Sequence, residues 1–492
     1  MTALQAGGRL SHRTLFLTAL LLNYVVVLSL LGDGRLPRGQ ATREFIDRHH
    51  QLLAGQEGPP AGPGGLLLIL LRPLGPWLGS LPFLPLFHLS MVLDELIFLL
   101  GVWLLARRFS PSPVAVFFVT VAAAGSTLWT DHVHANFFAF HSVPLALVLI
   151  HEFLDSGTRR NLFFALLLLA LQGTLSSALA VLLYFVSWTL LSSRDVVARL
   201  RALRREPRDG LWILAMLAAG SLALLRVPAP AVDPRPAGDI VDLLLGAALS
   251  PNVTVYCGFF TIALAAHALD RRRLLLLAPA LGSFVLLSLA GPALPFAKLF
   301  VVFLAGLGVE KLLREPKGAT APAIGLMLLA IGLTALTLLS LNSPDLVEDA
   351  LRPVLGTPPG RLDTTYPRDL RFLHDLFGVG AFACGAAAAV LFLFRAGPRT
   401  RPLALALLLL LHPMDVYGWK SRMFWFRTTA QTARLPRIEE PPDGARGIPS
   451  VPRSSLLWSL ASAAAGAGSL LWLGLLSRGI LRELRRRSGE AA

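Results

Sequence analysis

The run LFLTALLLNYVVVLSLL (Leu15–Leu31), followed at once by Gly32-Asp33-Gly34-Arg35, decides the fold. An apolar run of this kind approaches the roughly 20 residues that a helix needs to cross hydrocarbon. It ends on an acid where the chain returns to water. An amphipathic segment follows, Ala41–Ala54, with Asp47, Arg48, His49 and His50. The Pro/Gly tract Gly58–Gly65 then reads as a turn.

The rest of the chain repeats the opening pattern. Of 492 residues, 54% are hydrophobic and only 15% charged, and mean hydropathy is +0.62. Soluble domains carry about 25% charged residues. The fold class is therefore all-α and polytopic in the membrane. The net charge of +15 sits in short loops between apolar runs, which is the pattern of cytoplasmic loops and not of a nucleic-acid groove. Cys257 and Cys384 lie inside apolar runs and read as small buried hydrophobes. Arg9 and Arg13 before the first run, with no small-residue cleavage site after it, read as a retained signal anchor.

Spacing predicts about fourteen spans. After Leu15–Leu31 they run Pro85–Ala106, Val114–Trp129, Asn136–Phe153, Asn161–Thr174, Ser177–Leu191, Leu211–Leu225, Val253–Leu269, Leu274–Ala290, Lys298–Leu313, Ala321–Leu341, Leu376–Phe394, Leu403–Leu411 and Leu456–Leu476. Leu66–Leu84, broken by Arg72-Pro73 and Gly75-Pro76, reads as interfacial or re-entrant helix. With the N-terminus inside, Arg107-Arg108, Arg159-Arg160, Arg194–Arg208, Arg271–Arg273, Lys311–Lys317, Arg395–Arg401 and the tail all fall inside. Residues 1–14 form a cytoplasmic N-terminus and 15–341 a transmembrane core with outside loop 32–84. Residues 342–476 form C-terminal helices with outside loops 342–373 and 412–454, and 477–492 a basic cytoplasmic tail. Both termini are then cytoplasmic.

Each polar feature has a chemical and a structural reading. Asp33 stands at a water–membrane boundary, where a carboxylate serves as a general base or metal ligand; Gly-Asp-Gly is equally ordinary turn chemistry. Arg35, Arg38, Arg43 and Arg48 suit a phosphate or lipid headgroups. Asp131, His132 and His134 suit substrate hydrogen bonding, a divalent metal with no further ligand fixed by spacing, or a polar turn. Lys298, at the mouth of its span, suits a lipid phosphate or snorkels to the interface. Asp94-Glu95 lies at membrane depth, where ionisable groups face an interior, and it supports a proton-coupled transporter. His412-Pro413-Met414-Asp415-Val416-Tyr417-Gly418-Trp419-Lys420 reads as the start of the last outside loop and an interfacial belt.

Three segments carry a family resemblance. The first is Gly32-Asp33 with Phe45-Ile46 and Leu52-Leu53-Ala54-Gly55. The second is Leu128–Phe153, with His134-Ala135-Asn136-Phe137-Phe138 and Pro144-Leu145-Ala146-Leu147. The third is Leu294-Pro295-Phe296-Ala297-Lys298-Leu299-Phe300 and the helix it opens. Together they resemble the GT-C superfamily of membrane glycosyltransferases, and within it bacterial YfhO-like membrane proteins, over roughly the first 315 residues. The resemblance implies a GT-C-like bundle in the inner membrane and a polyprenyl-phosphate sugar donor. It implies a glycan or lipid acceptor from the cell envelope and transfer on the outer face. Asp33 would be the base, and Lys298 with Arg35 or His134 would neutralise the donor phosphate. A divalent metal is the one cofactor left open. A transporter or lipid flippase, and a non-catalytic GT-C-like scaffold, are the alternative functions.

Overall fold

The computed structural model describes residues 12–31, 83–125, 142–172, 175–191, 257–269, 276–282, 294–343, 346 and 366–428. Among them the regular structure is helical. In chain order the helices are α1 (His12–Leu31), α2 (Phe83–Phe109), α3 (Pro113–Gly125), α4 (Val143–Ser156), α5 (Arg159–Gln172) and α6 (Leu175–Leu191). They continue with α7 (Phe259–His267), α8 (Leu294–Arg314), α9 (Thr320–Asn342), α10 (Tyr366–Ala396) and α11 (Arg401–Thr428). A 3-10 turn, Pro316–Ala319, joins α8 to α9.

Local chemistry sets several of the ends. Pro113 opens α3, where its missing N–H is no loss, and Pro144 lies in the first turn of α4. Gly157 ends α4 at φ 68°, and its N–H donates to the Phe153 carbonyl at 2.8 Å. That left-handed closure favours glycine.

The helices share one apolar core. α3 is buried from Ala115 to Gly125 and packs on α1, α2, α8 and α11; α9 lies along α10, and α7 along α8. Glycines set the closest crossings. A Cβ on Gly308 would overlap the Leu264 carbonyl oxygen of α7, and one on Gly306 would overlap the Val119 side chain of α3. Small residues at crossings let backbones approach where dispersion drives association.

The outward faces are apolar. On α9 Leu328, Ile331 and Leu338 are exposed, as are Leu21 on α1, Phe382 on α10 and Leu410 on α11. Contiguous apolar surface of this breadth is uncommon on water-soluble monomers and suits acyl chains. Among the described residues one helical segment, Pro316–Asn342, is by itself long and apolar enough to cross a membrane. Thr14–Asn23, Pro113–Gly125 and Gly380–Ala396 are shorter apolar helices.

Several boundaries differ from the expectation. Of the run Val253–Leu269, read as one span, the described helix begins only at Phe259, and α8 begins at Leu294, not at Lys298. α10 begins at Tyr366, so the segment 366–373, read as loop, is helical. The span expected to stop at Leu411 continues as α11 to Thr428, with Pro413 inside it, so the loop does not begin at residue 412. Pro413 removes one backbone donor, yet His412, Asp415, Val416 and Tyr417 are all buried. Continued helix places those four against the bundle, and their packing outweighs the lost bond.

At one end of the bundle, Arg108 of α2 pairs with Asp155 and, at 3.7 Å, with Glu152 of α4. Ser110 Oγ donates to Glu310 Oε2 of α8 at 2.6 Å, and Lys311 Nζ donates to the His267 carbonyl of α7 at 3.0 Å. The clusters at Arg107-Arg108 and Lys311–Lys317 thus share an end, as expected. Arg159 joins them, being three residues beyond the end of α4.

Candidate functional site

Farther from that end, about midway along the long helices, the bundle interior holds polar side chains. α7 starts there at Gly258, φ 101°, which has no side chain to cap the helix. The cap comes from α11: Phe259 N–H donates to Asp415 Oδ2 at 2.9 Å. A methyl group placed on Gly258 would lie 2.8 Å from Val416 Cγ1 and 3.2 Å from both Asp415 Oδ2 and Thr261 Oγ1. Only glycine fits this notch, for its φ and for its size. Thr261 is fully buried, and its hydroxyl has no hydrogen-bond partner among the described residues.

Lys298, on the first turns of α8, is 0% exposed. It and Asp415 are both near enough to act electrostatically on the Cys257 thiol, which adjoins the notch. A positive and a negative charge therefore share one apolar enclosure at the start of α7. Isolated buried charges are costly, so such groups are held by partners or face a site.

His412 and Tyr417 extend the seam. The His412 ring stacks on Phe118 of α3 with centroids 3.8 Å apart, and its Nε2 lies 3.3 Å from the Phe118 carbonyl. Tyr417 O–H donates to Asn23 Oδ1 of α1 at 3.3 Å. Glu95 of α2, 0% exposed, acts electrostatically on Tyr417. α1, α2, α3, α7, α8 and α11 each contribute to this seam.

A second polar pair stands toward the ion-paired end. His151 Nε2 of α4 and the Tyr184 hydroxyl of α6 are 2.7 Å apart, and both residues are buried. Phe109, Phe185 and Trp188 enclose the imidazole. Its Nδ1 has no hydrogen-bond partner among the described residues.

Of the residues singled out in the sequence, Lys298 lies in the seam. It is buried within the bundle and does not snorkel to a surface. Asp33, Arg35, Asp131, His132 and His134 lie outside the described residues. His412, Asp415 and Tyr417, expected in an outside belt, are inside the bundle. Thr261 and Asn23 were not singled out. Asp415 carried a signal, since His412, Asp415 and Val416 stand at i, i+3 and i+4, one face of a continued helix. Cys257 and Cys384 are buried and free. Among the described residues no group of three His, Cys, Asp or Glu side chains is placed to hold a metal ion.

No family model matches the sequence, and no curated protein matches it. Among solved structures, the chain is similar to the crystal structure of ArnT from Cupriavidus metallidurans in the apo state. Identity is 17%, the match covers 84% of this chain and 76% of that one, and the TM-score is 0.49. At that level the likeness carries no argument about function, which rests on this chain's own residues.

Proposed function

We propose that this chain is an integral-membrane, GT-C-type glycosyltransferase. It moves a sugar from a polyprenyl-phosphate donor to a cell-envelope acceptor on the outer face of the inner membrane, with both termini cytoplasmic. The observation that carries the reading is Lys298, a cation fully enclosed within the bundle beside the polar seam. In such surroundings its attraction for an anion is little screened. Around it, Tyr417 reaches Asn23 of α1, and Gly125 at the end of α3 packs beside Val416 and Tyr417.

The acceptor hydroxyl gives its proton to the Asp33 carboxylate while its oxygen attacks the anomeric carbon. The bond from that carbon to the phosphate oxygen breaks, and the electron pair leaves with polyprenyl phosphate. Lys298, with Arg35 or His134, balances the charge gained by the phosphate. Sugar transfer in proteoliposomes tests this. Asp33→Asn abolishes turnover with the protein still folded, and Lys298→Ala lowers it by roughly 100-fold or more. Full turnover by Asp33→Asn overturns the assignment.

One observation favours a second reading. Glu95 is wholly buried midway along α2, as a proton-coupled carrier or lipid flippase requires. Proton flux across proteoliposomes that vanishes in Glu95→Gln, with no sugar transfer by the native chain, would select it.

A further inference from the structure

We infer that the start of α7 is an oxyanion site, made by the Phe259 N–H, the Thr261 hydroxyl and the Lys298 ammonium, that Asp415 occupies from within until a phosphate group takes its place. The inference rests on the glycosyltransferase reading for its ligand and adds to it a resident competitor.

Four observations point this way. The first-turn N–H of a helix presents positive potential, and the α7 N-terminus spends its Phe259 donor on a carboxylate from another helix, not on its own chain. The Thr261 hydroxyl is fully buried, faces the same notch as Asp415 Oδ2, and has no partner among the described residues. It is a donor that a second or third anion oxygen would use, whereas the Asp415 carboxylate leaves it unmet. Lys298 lies within electrostatic reach of Cys257, which adjoins the notch. Finally, Asp415 lies two residues beyond Pro413, in the middle of α11. The bond from residue 413 to the Leu409 carbonyl cannot form, so Asp415 sits where the helix is least restrained by its own hydrogen-bond ladder.

A phosphate carries more acceptor oxygens than a carboxylate and satisfies donors in several directions. The shared chemistry is a phosphate monoester or diester, whether a lipid headgroup or a free anion. The full-length protein in nanodiscs is titrated with a short-chain polyprenyl phosphate in one arm and with inorganic phosphate in the other. Asp415→Asn keeps an oxygen to cap Phe259 but removes the competing charge, and it tightens binding by about tenfold. A gain in the first arm alone assigns the site to a lipid headgroup; a gain in both assigns it to phosphate as such. Thr261→Val, in either background, weakens binding by roughly fivefold. Unchanged affinity for Asp415→Asn in both arms overturns the inference. So does native affinity for Thr261→Val, a variant that leaves the cap intact. Both readouts are binding. Tighter binding without sugar transfer therefore defeats the glycosyltransferase reading alone, and sugar transfer without tighter binding defeats this inference alone.

Discussion

Asp415 caps a helix 156 residues away in sequence: its Oδ2 accepts the Phe259 N–H at 2.9 Å, joining α11 to α7. Gly258, the residue at the cap position, has no side chain to do so. Asp415→Ala removes the acceptor and is expected to destabilise the protein by about 2 kcal/mol. Asp415→Asn keeps an oxygen acceptor and loses less. Thermal unfolding in detergent separates the two, and equal losses would show that the cap contributes little.

Gly308 and Gly325 should respond in opposite ways to the same substitution. Alanine at 308 drives a methyl group into the Leu264 carbonyl and forces α7 and α8 apart. The expected cost is about 2–3 kcal/mol. At Gly325, on α9, a Cβ meets nothing within 4 Å. There alanine gains up to about 1 kcal/mol from helix propensity. Apparent Tm in one detergent measures both, and a neutral Gly308→Ala would contradict the close crossing.

The His151–Tyr184 pair gives a test of polar burial. Tyr184→Phe keeps the ring stacked on Phe300, with centroids 5.6 Å apart, but removes the partner 2.7 Å from Nε2. The expected loss is about 1–2 kcal/mol. Tyr184→Ala also opens a cavity and is expected to lose about 3–5 kcal/mol. If Phe and Ala lose the same amount in urea or thermal unfolding, the hydrogen bond and not the packing dominates.

Acid should weaken the N-terminal end of α1. Burial, and then the Arg107 charge, hold the His12 imidazole below the usual histidine range, against a hydrogen bond with the Pro111 backbone. A depressed pKa means that the unfolded chain binds more protons. The contribution of His12 is thus complete above the unfolded value, about 6.5, and is lost as pH falls below it. His12→Gln is expected to flatten the fall in Tm between about pH 6.5 and 5. An unaltered acid limb would assign that fall to other groups.

The helices were legible because apolar runs need no partner to be recognised. Lys298 was legible because a lone cation before an apolar run is conspicuous. Asp415 was not, for a physical reason. Pro413 is an ordinary helix stop in water, and a sequence does not show the buried contacts that carry α11 past it. Thr261 and Asn23 are unremarkable within apolar helices; only their neighbours across the bundle make them polar points in a dry interior. Asp33 lies outside the described residues.

The ion-paired end has a mechanical consequence. Arg108, Ser110, Glu310 and Lys311 clamp α2, α4, α7 and α8 together where those helices meet. A bundle clamped at one end opens like a fan, and displacement grows with distance from the clamp. α2, at 27 residues, is about 40 Å long. A tilt of about 5° at the clamp would carry its far tip roughly 3.5 Å, close to the contact distance between two carbons. Small angular adjustments at the charged end thereby become, at the far tip of α2, shifts on the scale of a hydrocarbon chain.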